Sequence, residues 1–447
     1  MTLRVVVFLC LATMLFVSPP APVAAEEIPR DTAFGNRQLR NFPMAVADFK
    51  NFSKSPDKDN FAKTGQQVML ADFEISGYFQ ALNPKSYLED VKASGITEAT
   101  TDFTKWSAVG ASGLVKAGFW IDGDNLKIEM KLFNVGLGKE VLAKAYEGKM
   151  EQFRDICHRF ADEVVKYYTG ADGIFSTRLT AVRKVNQIKT LWVCDFDGKR
   201  GWTLVDNGSI NLLPAWSRDG GGVFFTSYAN GNPDLFKVPA APKAKPVVIS
   251  QEAGLNVGAA TCPDGKSIAL TMTRDGNSEI YVMSTDGKNP IRITNSWGID
   301  TSPAWSPTGD RLTFVSNRSG SPQIYVTPAV ADAQPTRLTF QGNYNQSPAW
   351  SPQGDKIVFT GRDERLIYDL FLVDVETREI TRLTQDQGNN EDPGWSPDGN
   401  LIIFTSTREG GKYKLWLMNA DGTGQRKITD EEGEFTNPDW GPLTKGK

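Results

Sequence analysis

The stretch Trp395-Ser396-Pro397-Asp398-Gly399 decides the fold because the sequence repeats it. Close copies are Trp350-Ser351-Pro352-Gln353-Gly354 and Trp305-Ser306-Pro307-Thr308-Gly309, and looser ones are Trp216-Ser217-Arg218-Asp219-Gly220, Thr261-Cys262-Pro263-Asp264-Gly265 and Trp440-Gly441-Pro442. The first residues of successive copies are 45, 44, 45, 45 and 45 positions apart. A fixed period of about 40–45 residues is typical of β-propeller blades, each made of four strands.

The rest of each repeat has the composition of strands. Apolar segments follow the turns at 223–227, 268–272, 312–316, 357–361 and 402–406, and aromatic-centred segments follow around Phe236, Tyr281, Tyr325, Phe371 and Trp416. Such β-branched and aromatic residues favour strands. We predict a short fourth strand that ends at Thr294, Thr339, Thr384 or Thr429. The proline before each tryptophan, as in Pro393, is predicted to open the innermost strand, where a missing N–H costs least.

The copy at Trp440 is followed by too few residues for three further strands, so these are expected from elsewhere. Residues 178–182, 190–193 and 203–205 have the pattern of the second, third and fourth strands. Pairing of 436–440 with 178–205 would close the ring and remove exposed sheet edges. We therefore predict an all-β six-bladed β-propeller over residues 174–447.

Residues 43–170 are predicted to form a small α/β domain. Helices are expected at 61–76, with Gly77 as the cap, and at 153–168, where apolar residues recur at helical spacing. Strands are expected at 44–47, 113–121, 126–132 and 141–146. The chain thus has two domains, as its length leads one to expect.

The first residues have the pattern of an export signal. Arg4 precedes an uncharged apolar run from Val5 to Val17, and Val23-Ala24-Ala25 resembles a cleavage site, so residues 1–25 are predicted to be a signal peptide. The apolar run is short for a transmembrane helix. Cleavage would remove one positive charge and change the net charge from −4 to −5. Such an acidic chain gives no reason to expect nucleic acid as a partner.

Cysteine usage does not suggest a disulfide framework. Cys157, Cys194 and Cys262 are an odd number at wide spacing, and we expect them to be buried as small hydrophobic residues. No Cys or His spacing suits zinc.

Several phrases outside the repeats resemble the TolB family of the Tol–Pal system. They are Pro43-Met44-Ala45-Val46-Ala47-Asp48-Phe49, Ser76-Gly77-Tyr78-Phe79, Leu82-Asn83-Pro84, Trp106 with Gly110-Ala111, and His158-Arg159-Phe160-Ala161-Asp162-Glu163 followed by Gly173-Ile174-Phe175-Ser176-Thr177-Arg178. The resemblance extends over nearly all of the chain after the signal peptide.

The resemblance implies a periplasmic binding adaptor rather than an enzyme. Such a protein links the inner-membrane TolA, TolQ and TolR proteins to the outer-membrane lipoprotein Pal, and supports envelope integrity and constriction at division. It is expected to be a monomer that reaches membranes only through its partners, with no cofactor. In the family the N-terminal arm contacts TolA; here the arm is 26–42 and its candidate residues are Glu26, Glu27, Ile28, Pro29 and Arg30. Pro29 would interrupt a strand in the arm, which leaves open whether and how this arm engages TolA.

Other functional classes have weaker support. A hydrolase of the prolyl-oligopeptidase type needs a G-x-S-x-G elbow with a histidine downstream, and the sequence has neither. The chain's one histidine, His158, is expected to anchor a helix to its neighbour through a hydrogen bond. Asp195-Phe196-Asp197-Gly198 and Asp122-Gly123-Asp124 resemble fragments of calcium loops without the closing glutamate, so we predict turns and no metal site. A propeller that binds a small ligand or sugar in its pore remains the alternative.

The partner is predicted to dock where the chain enters the innermost strands. Five residues before each tryptophan position stand Asn211, Asn256, Asp300, Asn345 and Asn390, with Phe435 in the sixth repeat. Short amides are also common in loops because they bond their own backbone. Their neighbours Leu255, Thr301, Tyr344, Gln346, Glu391 and Asp392 mix aromatic, apolar and acidic groups, as binding surfaces do. By resemblance, Tyr344-Asn345-Gln346 aligns with a loop that contacts Pal.

Overall fold

The computed structural model describes residues 42–90, 93–362 and 364–443. Over these residues the chain forms a small α/β domain followed by a six-bladed β-propeller, which confirms the predicted fold class. The predicted signal peptide lies outside the described residues. None of the described helices is both long and apolar enough to cross a membrane.

The α/β domain is a mixed sheet covered on one face by two helices. Its strands are β1 (Phe42–Val46), β2 (Lys50–Asn51), β3 (Phe79–Ala81), β4 (Gly113–Asp122), β5 (Asn125–Asn134) and β6 (Lys139–Lys149); its helices are α1 (Phe61–Ser76), α2 (Phe103–Ala108) and α3 (Phe153–Thr169), with short 3-10 turns at Pro84–Ser86, Glu98–Thr100 and Met150–Gln152. The sheet order is β3-β1-β4-β5-β6, parallel around β1 and antiparallel from β4 to β6.

The sequence pattern explains how these elements pack. Along β5, Leu126, Ile128 and Met130 point into the core and alternate with more exposed residues, as in a strand with one buried face. Helix α3 buries one stripe of apolar side chains against α1 and the sheet. Both long helices end at a glycine with left-handed φ, at Gly77 and Gly170, because a residue without a Cβ adopts that conformation at little cost.

The propeller has six four-stranded antiparallel sheets, whose strands we call A to D from the channel outward. Its blades are β10 (Asn211–Trp216), β11 (Gly222–Ser227), β12 (Asp234–Pro239), β13 (Val247–Ser250); β14 (Asn256–Thr261), β15 (Ser267–Met272), β16 (Glu279–Ser284), β17 (Ile291–Arg292); β18 (Asp300–Trp305), β19 (Arg311–Ser316), β20 (Gln323–Pro328), β21 (Thr336–Arg337); β22 (Asn345–Trp350), β23 (Lys356–Arg362), β24 (Tyr368–Asp374), β25 (Ile380–Arg382); β26 (Asn390–Trp395), β27 (Leu401–Ser406), β28 (Lys414–Asn419), β29 (Arg426–Lys427); and β30 (Glu434–Trp440) with β7 (Arg178–Val185), β8 (Ile188–Asp195) and β9 (Trp202–Val205).

The sixth blade takes its A strand from the far end of the described chain. β30 pairs antiparallel with β7, with Trp440 opposite Leu179. The Trp440 indole Nε1 donates a hydrogen bond to the Thr177 hydroxyl at 2.8 Å, where the chain enters the propeller. The last A strand is therefore held by residues that lie more than half the chain away in sequence.

Every A strand contains a bulge, which corrects the predicted role of the prolines. The register against the B strand shifts in each blade, and the residue three positions before the tryptophan position has a left-handed φ. These residues are Leu213, Gly258, Ser302, Ser347, Asp392 and Asn437. The A strand is paired with the B strand on both sides of the bulge. In the third blade Asp300, which precedes the bulge, already pairs with Ser316, so the strand begins three residues before Pro303. The proline follows the bulge instead of opening the strand.

The D strands also end earlier than predicted. They stop two residues before Thr294, Thr339, Thr384 and Thr429. Each of these buried threonines accepts a hydrogen bond through its hydroxyl from a backbone N–H at the start of strand C, as from Ile280 to Thr294 at 2.9 Å. The side chain therefore replaces the backbone carbonyl that a longer D strand would supply.

The two domains share one buried cluster. It extends from Phe160 of α3 to Phe196 and Leu417 of the propeller. The Asn400 amide, in the turn between strands A and B, donates to the Tyr78 hydroxyl at 2.6 Å. Cys157, Cys194 and Cys262 are free and buried, as predicted.

Candidate partner-docking face of the propeller

The antiparallel order within each blade sorts its connections onto two faces. The A–B and C–D turns lie on one face, and the B–C hairpins and the loops from strand D to the next strand A lie on the other. The α/β domain packs on the first face, through Asn400 of an A–B turn and Asp195 and Asp197 at a C–D turn. We call the second face, formed by the B–C hairpins and D–A loops, the open face.

Five predicted contact residues lie under the open face. Asn211, Asn256, Asp300, Asn345 and Asn390 each begin an A strand, and their side chains are buried. The sixth member, Phe435, is also buried and packs edge-on against Trp192. The prediction that these side chains meet a partner therefore needs a correction, because they support the loops from beneath.

Hydrogen bonds explain why short polar side chains occupy these positions. The Asn256 amide donates to the Glu252 carbonyl at 2.7 Å and so closes the loop that precedes its strand. The Asp300 carboxylate accepts from the Arg318 guanidinium at 2.6 Å, which links a D–A loop to a B–C hairpin. Burial raises the pKa of Asp300 in spite of this arginine.

The same pattern recurs in the next two blades. The Asn390 oxygen accepts from the Arg408 guanidinium at 2.7 Å, and its amide donates to the Asp369 carboxylate at 3.1 Å. The Asn345 amide donates to the Gln323 side chain at 3.0 Å. The amide-rich ring thus fixes the shape of the open face.

The predicted neighbours are more accessible. Leu255 is exposed, and Thr301, Tyr344 and Gln346 are partly exposed. The Tyr344 ring lies against Tyr368, with ring centres 6.2 Å apart, and the Arg362 guanidinium sits 5.2 Å from its centre. Such contacts hold the tyrosine in one orientation on the open face.

Glu391 and Asp392 form the acidic part of this set. Glu391 accepts a hydrogen bond from the Tyr413 hydroxyl, and burial together with the adjacent Asp392 charge raises the pKa of Glu391. Asp392 sits at a bulge, where it accepts from Ser347 Oγ at 3.1 Å and Asn437 Nδ2 at 2.9 Å. Burial also raises the pKa of Asp392. Asp392 therefore joins three neighbouring A strands at the wall of the channel.

The most exposed apolar groups of the open face were not singled out from the sequence. Trp297 is 77% exposed, and Phe340, Ile299 and Ile210 are also exposed in the D–A loops. Ile188, Tyr228 and Leu366 add to them from the B–C hairpins. A sequence signal exists, since Trp297 and Ile299 stand within a polar loop directly before Asp300. Apolar groups clustered on one face of a soluble domain mark interaction sites.

The channel along the propeller axis is a cavity of about 760 Å³ lined by the A strands. Its wall carries two carboxylates, Asp392 and Asp439. Among the described residues, no group of three His, Cys, Asp or Glu side chains is placed to hold a metal ion.

The single histidine is buried between the domains. His158 Nδ1 lies 2.8 Å from Asp72 Oδ2 on α1, which confirms that it anchors one helix to another. Its Nε2 is buried and has no hydrogen-bond partner among the described residues. The predicted arm residues Glu26, Glu27, Ile28, Pro29 and Arg30 lie outside the described residues.

Comparisons with known proteins agree with this architecture. Residues 165–444 match the family model of the TolB beta propeller domain, and residues 35–141 match that of the TolB amino-terminal domain. A Tol-Pal system protein TolB from Anaeromyxobacter dehalogenans is 40% identical over 298 residues, 66% of this chain and 67% of its own. A Tol-Pal system protein TolB from Desulfosudis oleivorans is 37% identical over 263 residues, 59% of this chain and 60% of its own.

A solved structure supports the same assignment. The crystal structure of TolB from Acinetobacter baumannii superposes with a TM-score of 0.75 at 26% identity, over 90% of this chain and 96% of that one. The family models together match both domains and the relatives match at sequence level. The chain therefore belongs to the TolB family.

Proposed function

We propose that this protein is a periplasmic binding adaptor of the Tol–Pal system that links the inner-membrane Tol complex to the outer-membrane lipoprotein Pal. In this role it supports envelope integrity and constriction of the outer membrane during division. The observation that carries the proposal is the cluster of exposed apolar side chains on the open face, in a chain of the TolB family. We propose further that the protein needs no cofactor and acts as a monomer.

The open face suits a protein partner better than a small molecule. Its exposed apolar groups, such as Trp297, Ile299 and Phe340, stand on two successive D–A loops. Large aromatic anchors surrounded by polar groups are typical of protein interfaces. The loops are held from beneath by buried amides, so little ordering is required when a partner binds.

The two proposed partners bind at different parts of the molecule. Pal docks on the open face, opposite the α/β domain, and the N-terminal arm at 26–42 contacts TolA. The described chain begins with β1 of the α/β domain, so the arm is joined to that domain and not to a propeller loop. We propose that both partners bind at once.

A pull-down from envelope extracts after mild crosslinking tests the adaptor role. Recovery of the lipoprotein Pal with the wild-type protein, and its reduction with Trp297→Ala, supports the proposal. A matched control is Leu137→Ala, which changes an exposed apolar residue of the α/β domain. Failure to recover Pal with the wild-type protein contradicts the proposal.

A ligand-binding propeller is the second candidate, favoured by the 760 Å³ channel with its two carboxylates. A small sugar or cationic ligand in the channel would contact Asp392 and Asp439. Calorimetric titration with peptidoglycan fragments distinguishes the two functions, because binding that is abolished by Asp392→Asn but unaffected by Trp297→Ala favours the channel.

A further inference from the structure

The contact between the two domains brings together seven ionisable groups, of which Asp72, His158, Asp195 and Asp197 are buried. Helix α1 contributes Asp72, helix α3 contributes Arg154, Asp155 and His158, and the end of β8 with the turn that follows it contributes Asp195, Asp197 and Arg200. Asp72 and His158 are almost fully buried. Charged groups are seldom buried together without a structural or functional reason.

His158 lies at the centre of this cluster and faces both domains. Its Nδ1 lies 2.8 Å from Asp72 Oδ2, and its Nε2 lies 4.0 Å from Asp195 Oδ2 of the propeller. Its ring stands edge-on to Phe196, with ring centres 5.4 Å apart. The histidine therefore bridges a helix of one domain and a turn of the other.

The turn that carries Asp195 is fixed. The Gly198 N–H donates to the Asp195 carbonyl at 2.9 Å, and Gly198 has a left-handed φ with a site for a Cβ only 2.0 Å from the Ile428 carbonyl oxygen. Arg200 donates to Asp195 Oδ2 at 2.7 Å. Because the turn cannot retreat without disturbing the blade, a change of charge at His158 acts on the contact between the domains.

The charges of the cluster do not balance when His158 is neutral. Asp72, Asp155, Asp195 and Asp197 are then opposed by two arginines, Arg154 and Arg200. A proton on His158 adds a third cation beside Asp72 and Asp195. Helix α3 places two further ionisable groups near Asp72 and His158. Asp162 lies close enough to Asp72 for their charges to interact, and the buried Cys157 stays a neutral thiol because burial raises its pKa.

We propose that His158, Asp72 and Asp195 form a pH-dependent latch, which holds the α/β domain against the propeller when His158 is protonated and loosens that contact when it is neutral. The latch is independent of which partner the open face binds. It makes the coupling between the arm-bearing domain and the propeller respond to the acidity of the compartment.

The shifts of the two pKa values agree on the direction. The Asp72 charge raises the pKa of His158 although burial opposes it, and burial raises the pKa of Asp72 to about 6. Asp72 belongs to the same domain as His158, so the part of the shift that depends on docking comes from the propeller, where the Asp197 charge also raises the pKa of His158. The docked state therefore takes up a proton at His158 that the separated state releases. The stabilisation that this proton gives is complete below the ordinary histidine pKa near 6.5 and is lost as the pH rises through the raised value.

Because His158 is the one histidine of the sequence, its pKa can be measured directly. NMR of the full-length protein labelled with ¹³C-histidine should show one imidazole signal that titrates above the ordinary value. Asp195→Asn should lower that midpoint, because it removes the propeller carboxylate. A midpoint at or below 6.5 in the wild type, or no change in Asp195→Asn, overturns the latch.

Hydrogen exchange tests the consequence for the domain contact. After correction for the intrinsic effect of pH, protection in α3 and in residues 195–200 should fall about fivefold or more between pH 6 and pH 8.5. His158→Gln, which keeps a hydrogen bond to Asp72 and does not titrate in this range, should abolish that change. If His158→Gln does not fold, Asp72→Asn serves as the second variant. Equal pH dependence in the wild type and the variant overturns the proposal.

Discussion

Asp439 of the last strand accepts a hydrogen bond from the backbone N–H of Trp216 in the first complete blade, with 2.7 Å between Oδ2 and N. The equivalent residues of four other A strands are alanines and that of the fifth is a glycine. The acid therefore stands only where the ring is closed by residues distant in sequence. It joins the A strand that completes the ring to the A strand that follows.

Loss of the closing strand should destabilise the whole propeller. Deletion of residues 436–447 removes most of β30 and exposes the edge of β7. An uncovered edge strand favours aggregation. We expect a melting temperature lower by more than about 10 °C and aggregation in size-exclusion chromatography, since twelve tail residues without this role would change little. A melting temperature within a few degrees of wild type would show that β30 is dispensable.

Asp439→Asn should flatten the pH dependence of stability. Burial raises the pKa of Asp439 to about 7, so the folded protein holds a proton that the unfolded chain has lost. The free energy of unfolding of the wild type therefore falls progressively as the pH rises from about 4 to 7. Asparagine keeps an acceptor for Trp216 without ionising. The free energy of unfolding at pH 8, relative to pH 5, should be higher in the variant by on the order of 1–3 kcal/mol. Denaturation curves with the same slope against pH in both proteins would refute the role of this carboxyl.

Residues of the open face and those beneath it should respond differently to substitution. Trp297→Ala and Tyr344→Ala should weaken binding of Pal by about 1–2 kcal/mol each and leave the melting temperature nearly unchanged. Asn256→Ala removes the buried amide that closes a loop and should cost about 1–3 kcal/mol of stability. Calorimetry of binding and thermal melting of the same samples separate the two effects. Wild-type affinity in both aromatic variants would place the docking site elsewhere.

A buried ion pair in the α/β domain offers a further test. Lys116 Nζ lies 2.7 Å from Glu89 Oε2, and that carboxylate also accepts from the Trp106 indole at 3.0 Å. Burial lowers the pKa of Lys116. Glu89→Ala leaves an unpaired buried ammonium and should cost about 3–5 kcal/mol, whereas the double variant with Lys116→Met should recover much of it. Additive losses in the double variant would show that the two groups are not coupled.

Export is a prediction from the sequence alone. The protein should occur in the periplasm with Glu26 as its first residue, because residues 1–25 have the pattern of a cleaved signal peptide. N-terminal sequencing of the protein from a periplasmic extract checks this. A first residue of Met1, or retention in membranes after a salt wash, would contradict it.

Repetition made the fold predictable. The regular spacing of the repeats that begin at Trp216 and end at Trp440 predicted the number of blades. Helix α1 was predicted with the bounds that it has, 61–76. The bulges were not predictable, because a left-handed φ at Leu213 or Ser347 leaves no mark in residue type and is imposed by the ring. The burial of Asn256 and the exposure of Trp297 depend on how loops fold over strand ends, which periodicity does not encode. Contacts across domains, such as His158 with Asp195, require the relative position of two elements that sequence spacing does not give.

Site-specific photo-crosslinking in cells tests whether Pal docks on the open face. A photoreactive phenylalanine is placed at Trp297 or Phe340 on the open face, or at Leu137 on the α/β domain as a control of similar exposure. We predict a crosslink to Pal, identified by mass spectrometry, from the two open-face positions and none from position 137. A crosslink to Pal from position 137 with none from 297 or 340 would contradict docking on the open face.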